Sequence, residues 1–483
     1  MMGSTRRRGH RGAMLATLVV TLALVSACSS VVNGKANSIY SDPNMVGGLR
    51  VTTGPSGLRP GVAQADLTVE NSSGDNIDAL AANAVSDIQV YWRENYPKLF
   101  NASFQPVDKL VSYDSTTQSR DKVCATSTTD LVNAFYCPSN DFIAWDRGAL
   151  LPAVKARFTD MGVVSVLAHE YGHAIQEHAK INPQSTPTIV EEQQADCFDG
   201  AFMRWVAEGN APHFTLNTSS GLNTTLSTMI AVRDKVGTAP NSRNAHGSAF
   251  DRVTAFQFGF TDGPGRCVDI TTDEVNKRIN KLPAQFGDNE GSGEFPVNAE
   301  DITAVVTSLN EVFRANNVAE PTISLNGSGA CSDAATTPPV SYCPATNTLT
   351  VDVAELAKRG QKPSSDANSA LPDSVSGDFS AYVLLAARYT LSVQKGLGAN
   401  LSGALVGLRS ACYAGGYAAA TTIAGSSVSL SPGDLDEAVS GLLSDGLAAS
   451  DVNGKEAPSG FTRVQAFRTG VLDGAKACAV VYS

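Results

Sequence analysis

Apolar and polar positions divide the chain into segments of distinct pattern. A basic segment (Arg6, Arg7, Arg8 and Arg11) leads into an apolar stretch from Met14 to Val25, followed by Ser26-Ala27-Cys28. Residues 29 to about 75 are rich in Ser, Gly, Asn and Pro and keep no sustained period, which predicts a flexible tether. Farther on, Phe142 to Asp146 reads as a strand, one whose edge could pair with an extended peptide. The apolar run Asp160 to Ala168 predicts a helix ending near Gln176, and a second helix is expected to carry Glu192 to Asp196.

These patterns recur. Tyr136-Cys137-Pro138 with Ile143 and Asp146 returns as Tyr342-Cys343-Pro344 with Leu349 and Asp352. The helix from Asp160 matches one from Asp378 that ends near Gln394, and Cys197-Phe198-Asp199-Gly200 matches Cys412-Tyr413-Ala414-Gly415. Arg252, Phe256, Gly259, Asp262-Gly263 and Cys267 return as Arg463, Phe467, Gly470, Asp473-Gly474 and Cys478. Four blocks in one order point to a tandem duplication, with one copy over 76–280 and the other over 281–483.

At 483 residues the chain exceeds what one core usually holds, so two domains are expected. A formal charge of −11 argues against a nucleic-acid partner. The N-terminal pattern is that of a secretory signal peptide over residues 1–27. Its apolar stretch is short for a membrane span, and the small residues before Cys28 resemble a bacterial lipobox, in which that cysteine is lipidated and becomes the mature N-terminus. The expected location is therefore the cell envelope, lipid-anchored to the outer face of the cytoplasmic membrane, with residues 28–75 as the tether. With Cys28 set aside, eight of the nine cysteines remain, an even number that favours disulfides in an exported chain. If both copies keep one fold, pairing stays within each copy. We expect Cys124 with Cys137, Cys197 with Cys267, Cys331 with Cys343, and Cys412 with Cys478.

The chemistry is concentrated in the first copy. His169-Glu170-Tyr171-Gly172-His173 is an HExxH motif, in which histidines at i and i+4 share a helix face and can reach one zinc ion, while the glutamate beside them points at a water on it. Gly172 thins that turn, as close packing by another segment would need. A third ligand is expected from Glu192, with Glu191 as its rival and Asp196 a weaker one. Glu192 and Asp196 stand four apart on one helix face, so Glu192 can ligate while Asp196 hydrogen-bonds a ligand histidine. Three protein ligands leave the fourth position to water, the mark of a catalytic rather than a structural zinc site.

Taken together, Tyr136-Cys137-Pro138, His169 to His173 with Gln176, Gln194-Ala195-Asp196-Cys197, and His246-Gly247-Ser248 with Arg252 and Phe256 resemble the bacterial putative neutral zinc metallopeptidases, in particular actinobacterial lipoprotein peptidases. The resemblance covers about 120–270 and, in decayed form, 325–483. It implies a zincin-like fold of the gluzincin type; with the duplication, the expected architecture is α+β, mainly helical with a small sheet, in two tandem copies, of which the second departs from the family pattern and is degenerate. It also implies a zinc-dependent endopeptidase acting on peptide or protein substrates with Glu170 as general base.

The duplication separates two sets of residues. His169, Glu170 and His173 face Ala387, Arg388 and Leu391, and Glu192 and Asp196 face Gly407 and Ala411, whereas Tyr171, Gln176, Cys197, Gly200, Arg252 and Phe256 keep their identities. The first set reads as chemistry and the second as scaffold. His246 faces Ala457, which marks it as a catalytic candidate that hydrogen-bonds the oxyanion. His178 and His213 lack such support. Two other readings are a silent envelope scaffold, whose second copy binds partners through the surface of a lost site, and a metal-dependent amidase acting on cell-wall material.

Overall fold

A computed structural model describes residues 42–483 apart from 119, 240, 241, 243, 244, 280, 281, 284–292, 328, 363–369, 372–374, 424 and 425. The leader over 1–27 and Cys28 lie outside the described residues. The fold is α+β, with long helices and small sheets. Among the described residues no helix is long and apolar enough to cross a membrane.

Helix α1 (Asn76–Phe100) starts where the Asp75 carboxylate accepts from the amides of Ile77 and Asp78, and it ends at Asn101 in the left-handed region. Next come strands β1 (Lys109–Tyr113), β2 (Ala134–Cys137) and β3 (Phe142–Asp146), in the order β1-β3-β2. β1 runs parallel to β3, with Lys109 opposite Phe142, and β2 runs antiparallel to it, with Ala134 opposite Trp145. All five residues of β3 are buried. The expectation that Phe142–Asp146 offers an edge is therefore corrected: it is the central strand, and the edge belongs to β2. An isolated apolar run looks the same at the centre of a sheet as at its rim, because neighbours in space decide which it is.

Helix α2 (Leu150–Ala179) breaks at Phe158 and Thr159, where Thr159 takes φ 60°, and restarts at Asp160. It is followed by α3 (Thr188–Ala207), α4 (Ser220–Ala231) and α5 (Ala249–Asp262). Trp92 of α1 packs edge-on against Phe198 of α3 with ring centroids 5.2 Å apart, and Tyr91 meets Phe202 at 5.7 Å. Each such pair adds about 0.5–1.5 kcal/mol beyond its buried area.

The second half has α6 (Ala299–Phe313), β4 (Thr322–Ser324), β5 (Val340–Cys343) and β6 (Thr348–Val351), then α7 (Asp378–Gly396), α8 (Ala404–Ala420), α9 (Asp434–Ser444) and α10 (Gly460–Asp473). Its sheet has the order β4-β6-β5, again with one parallel and one antiparallel pair around the middle strand. A side chain at Gly200 would collide with the Phe256 carbonyl, and one at Gly415 with that of Phe467. Both helix pairs, α3 with α5 and α8 with α10, thus touch backbone to backbone at matching positions. The chain is bridged at 124–137, 197–267, 331–343 and 412–478.

Two sequence expectations change here. Residues 42–75 are not a free tether. Thr52 N donates to Thr218 Oγ1 at 2.8 Å, Gly57–Leu58 pairs antiparallel with Phe214–Thr215, and Glu70 bridges Val111 beside β1. Backbone pairing of this kind depends on partners distant in sequence and leaves no trace in composition. Nor do the halves form separate bodies, since Ile39–Ser483 is one compact unit with a continuous core. Gln257 Nε2 donates to the Phe461 carbonyl at 2.9 Å, Ser459 Oγ to the Thr218 carbonyl at 2.9 Å, and the rings of Phe260 and Phe461 lie 5.0 Å apart. The boundary near 280 divides the sequence without dividing the core.

Candidate metal centre and active site

The strand-to-helix turn is held by Asp146, whose carboxylate accepts from Ser115 N, Gly148 N and Leu150 N at 2.8–3.0 Å. The apolar face of α2 from Met161 to Leu167 is buried, so the next turns are fixed rigidly and His169, Glu170 and His173 line a cleft. α3 crosses that turn closely: a Cβ on Gly172 would meet Ala195 Cα at 2.9 Å, the close packing that the glycine suggested.

This crossing brings Glu192 to the histidines. Its Oε2 lies 3.2 Å from His169 Nε2 and its Oε1 3.5 Å from His173 Nε2, and the two imidazoles stand perpendicular with centroids 4.9 Å apart. Glu191 also lines the cleft, but its carboxylate is not in the group of three whose donor atoms fall within 4.8 Å of one another. Asp196 lies behind His169, with Oδ1 2.7 Å from Nδ1. Arg252 holds that carboxylate at both oxygens, with Nε 3.0 Å from Oδ2 and an amino group 2.6 Å from Oδ1. His173 Nδ1 is 3.0 Å from Gln176 Oε1, and Gln176 Nε2 donates to the Glu191 carbonyl at 2.6 Å, which fixes the amide's orientation.

Both tautomers follow from these partners. Each Nδ1 faces an acceptor and carries the proton, so each Nε2 presents a lone pair to the same point as the Glu192 carboxylate. Glu192 Oε2 is sealed from solvent and accepts no hydrogen bond. Three converging electron-pair donors repel one another unless a cation lies between them, and two imidazoles with one carboxylate suit zinc. The electrostatics record the same demand for positive charge, which a second proton on His169 meets where no cation lies between the donors. Burial lowers the His169 pKa, but Asp196 and Glu192 outweigh it and lift it to about 10, while Glu192 stays well below the ordinary carboxylate range despite burial because both histidines face it. The pocket is arranged to hold positive charge.

Glu170 is placed differently. One oxygen, Oε2, accepts from the backbone amide of Tyr136 on edge strand β2 at 3.1 Å. Burial raises its pKa, opposed by His169 and His173, which makes it a better proton acceptor than a free carboxylate. β2 itself lines the cleft through Ala134, Phe135 and Tyr136.

His246 is on the same cleft, its side chain half-exposed, with Nδ1 3.3 Å from Asp234 Oδ1. Asp234 Oδ2 also accepts from the amides of His246 and Gly247 at 2.8 and 2.9 Å. Burial raises the Asp234 pKa, and the His246 contacts more than offset it. Asp234 escaped the sequence reading because, at the spacing that pairs His246 with Ala457, it faces another aspartate, Asp445, so comparing the copies could not flag it. Arg252 and Gln176 were assigned to the scaffold because they persist in the second copy, yet here they hold Asp196 and His173. His178 Nε2 lies 2.7 Å from Asp141, which also accepts from the Tyr136 hydroxyl, so it ties the edge strand to α2. His213 pairs with Asp87 away from the cleft.

A helix pair that presents two imidazoles, a carboxylate and a second glutamate beneath a strand edge has the donor set that suits a metallohydrolase centre. Residues 36–270 match the family model described as putative neutral zinc metallopeptidase, and this part of the chain belongs to that family. Comparison with curated proteins and with solved structures finds no match. The matched region holds every residue of the cleft described above.

Proposed function

We propose that this chain is a zinc-dependent endopeptidase of the cell envelope, with zinc held by His169, His173 and Glu192. The observation carrying the reading is the convergence of those three donors beside Glu170, with both histidines held through Nδ1. When bound, zinc supplies a Lewis acid that lowers the pKa of a water molecule from about 15.7 to about 7 and polarises a carbonyl. An extended peptide aligns along the free edge of Ala134–Cys137. Glu170, with Oε2 engaged by Tyr136, takes the proton of the attacking water and returns it to the leaving nitrogen. His246 acts in its doubly protonated form, with Nδ1–H directed at the Asp234 carboxylate and Nε2–H donating to the carbonyl oxygen as it gains charge. Asp196 and Arg252 hold the His169 ring, and Gln176 holds that of His173.

We also propose that Cys28 is lipidated after removal of residues 1–27, which anchors the enzyme to the outer face of the cytoplasmic membrane. Residues 281–483 are proposed to be a degenerate duplicate of the peptidase unit, supported by the common strand order, the matching disulfides and the Gly200 and Gly415 contacts. Its counterpart of the catalytic face is covered by the chain itself: Ala387, Arg388 and Leu391 are buried, and Arg388 donates to the Asp451 carbonyl and to Ser450 Oγ at 2.6 and 2.7 Å.

The test is metal analysis of the purified chain together with hydrolysis of casein, a peptide library and muropeptides. One zinc per chain, lost on replacing His169 and His173 with Ala, and chelator-sensitive peptide cleavage are expected. Cleavage of muropeptides alone would move the reading to the amidase, and a metal-free, inert protein would leave the scaffold.

A further inference from the structure

The segment entering the His246 loop holds three partners in three consecutive residues. The Val232 carbonyl accepts from Arg252 at 2.6 Å, and Arg252 in turn holds Asp196 and through it His169. Asp234 holds the side chain and amide of His246. Between them, Arg233 turns to the second half, where its Nε lies 3.6 Å from Asp436 Oδ2. The other oxygen of Asp436 accepts from Phe250 N at 3.0 Å. That amide belongs to the first turn of α5, the helix that carries Arg252, and such amides have no partner within their own helix and favour an anion. Asp436 is almost fully buried, so it is not a solvated surface charge. One carboxylate from α9 therefore grips both ends of the loop that carries Asp234 and His246.

Resting on the peptidase reading above, we propose that Asp436 is a positioning residue for the catalytic centre: the second half supplies the clamp on the loop that sets His246 over the cleft of the first. This gives the degenerate half a task that needs no open site of its own. Other contacts between the halves, such as Ser459 Oγ with the Thr218 carbonyl, lie outside this loop and supply a control.

The experiment uses the full chain and the variants D436A, D436N, S459A and H246A. Amide hydrogen exchange is read without substrate. In D436A the segments 232–236 and 246–250 should exchange faster while α3 keeps its protection, and S459A should match the native chain in both. In turnover, D436A should lose about tenfold in kcat with zinc content and KM unchanged, since displacement of a catalytic group by a fraction of an ångström has that scale of effect. D436N keeps an acceptor for Phe250 N and should lose less. Combined with H246A, D436A should cost no more than about twofold further, because the two act through one group. Native exchange in both Asp436 variants, or losses that multiply in the double variant, would overturn the proposal. An inert native chain would instead defeat the peptidase reading, leaving the exchange result to judge the clamp.

Discussion

Helices α2 and α7 show two uses of a similar frame, one with polar groups that converge on a cleft and one with polar groups satisfied within the chain. Both rest on a three-stranded sheet with one parallel and one antiparallel pair, and both are followed by a helix pair in backbone contact. In α2, the residues past the buried apolar run turn imidazole and carboxylate groups toward a cleft, each oriented from behind. In α7 the same positions are Ala387, Arg388 and Leu391, and the arginine spends its donors on the chain that covers it. Burial pushes Arg388 down to about 10, a large desolvation for a guanidinium that bridges only neutral acceptors. The frame thus tolerates either solution, and the difference lies in whether the polar groups converge on an open point or are satisfied internally.

The comparison is broken most strongly at Glu170. Replacing it with Gln keeps the ligands and the Tyr136 contact but removes the base, and turnover should drop by about 10³-fold or more with zinc content intact; metal analysis beside a peptide assay checks both halves of that statement. Next in size is His246→Gln, expected to lower kcat by about 10²-fold without loss of metal, with unchanged turnover discarding the oxyanion role. Asp196→Asn frees the His169 ring and removes the charge paired with Arg252, so zinc affinity should weaken by about 10–100-fold, measured by competition with a chromogenic chelator.

The smallest effect lies at the N-termini of the two helices. Asp160 pairs with Lys155 at 2.6 Å and accepts from Leu58 N, whereas Asp378 is faced by Glu437 and Glu294, with Lys362 as the nearby cation. Burial, and then Asp378, push the Glu437 carboxyl from 4.5 up to about 8. Its folded pKa lies above the unfolded one, so the stability it confers is complete below about pH 4.5 and is lost as pH rises through about 8. The melting temperature should decline across about pH 4.5–8, and Glu437→Gln should flatten that decline. An equally steep curve in the variant would move the cause elsewhere.

Much of the site was legible because its signals are local. Spacing of four on a helix places His169 with His173 and Glu192 with Asp196, whatever surrounds them. His246 was singled out without any geometry because it faces Ala457 in a block that keeps Arg252, and the structure places it on the cleft. Other parts were hidden for definite reasons. Asp234 was masked by an aspartate at the matching position, and Arg252 serves both scaffold and ligand support, which retention between copies cannot separate. Strand β3 was misjudged because its place in the sheet depends on β1 and β2. Residues 42–75 found partners through backbone amides, which composition does not report.

Helix periodicity, the donor types on one face and the recurrence of cysteines in register are properties of short stretches, and the linear chain alone determined them. Which strand forms the rim of the cleft, which acid stands behind His246, and the fusion of both halves into one core were decided only in three dimensions. Each of these depends on contacts between segments distant in sequence, where a hydrogen bond or a packed face is set by what arrives opposite it.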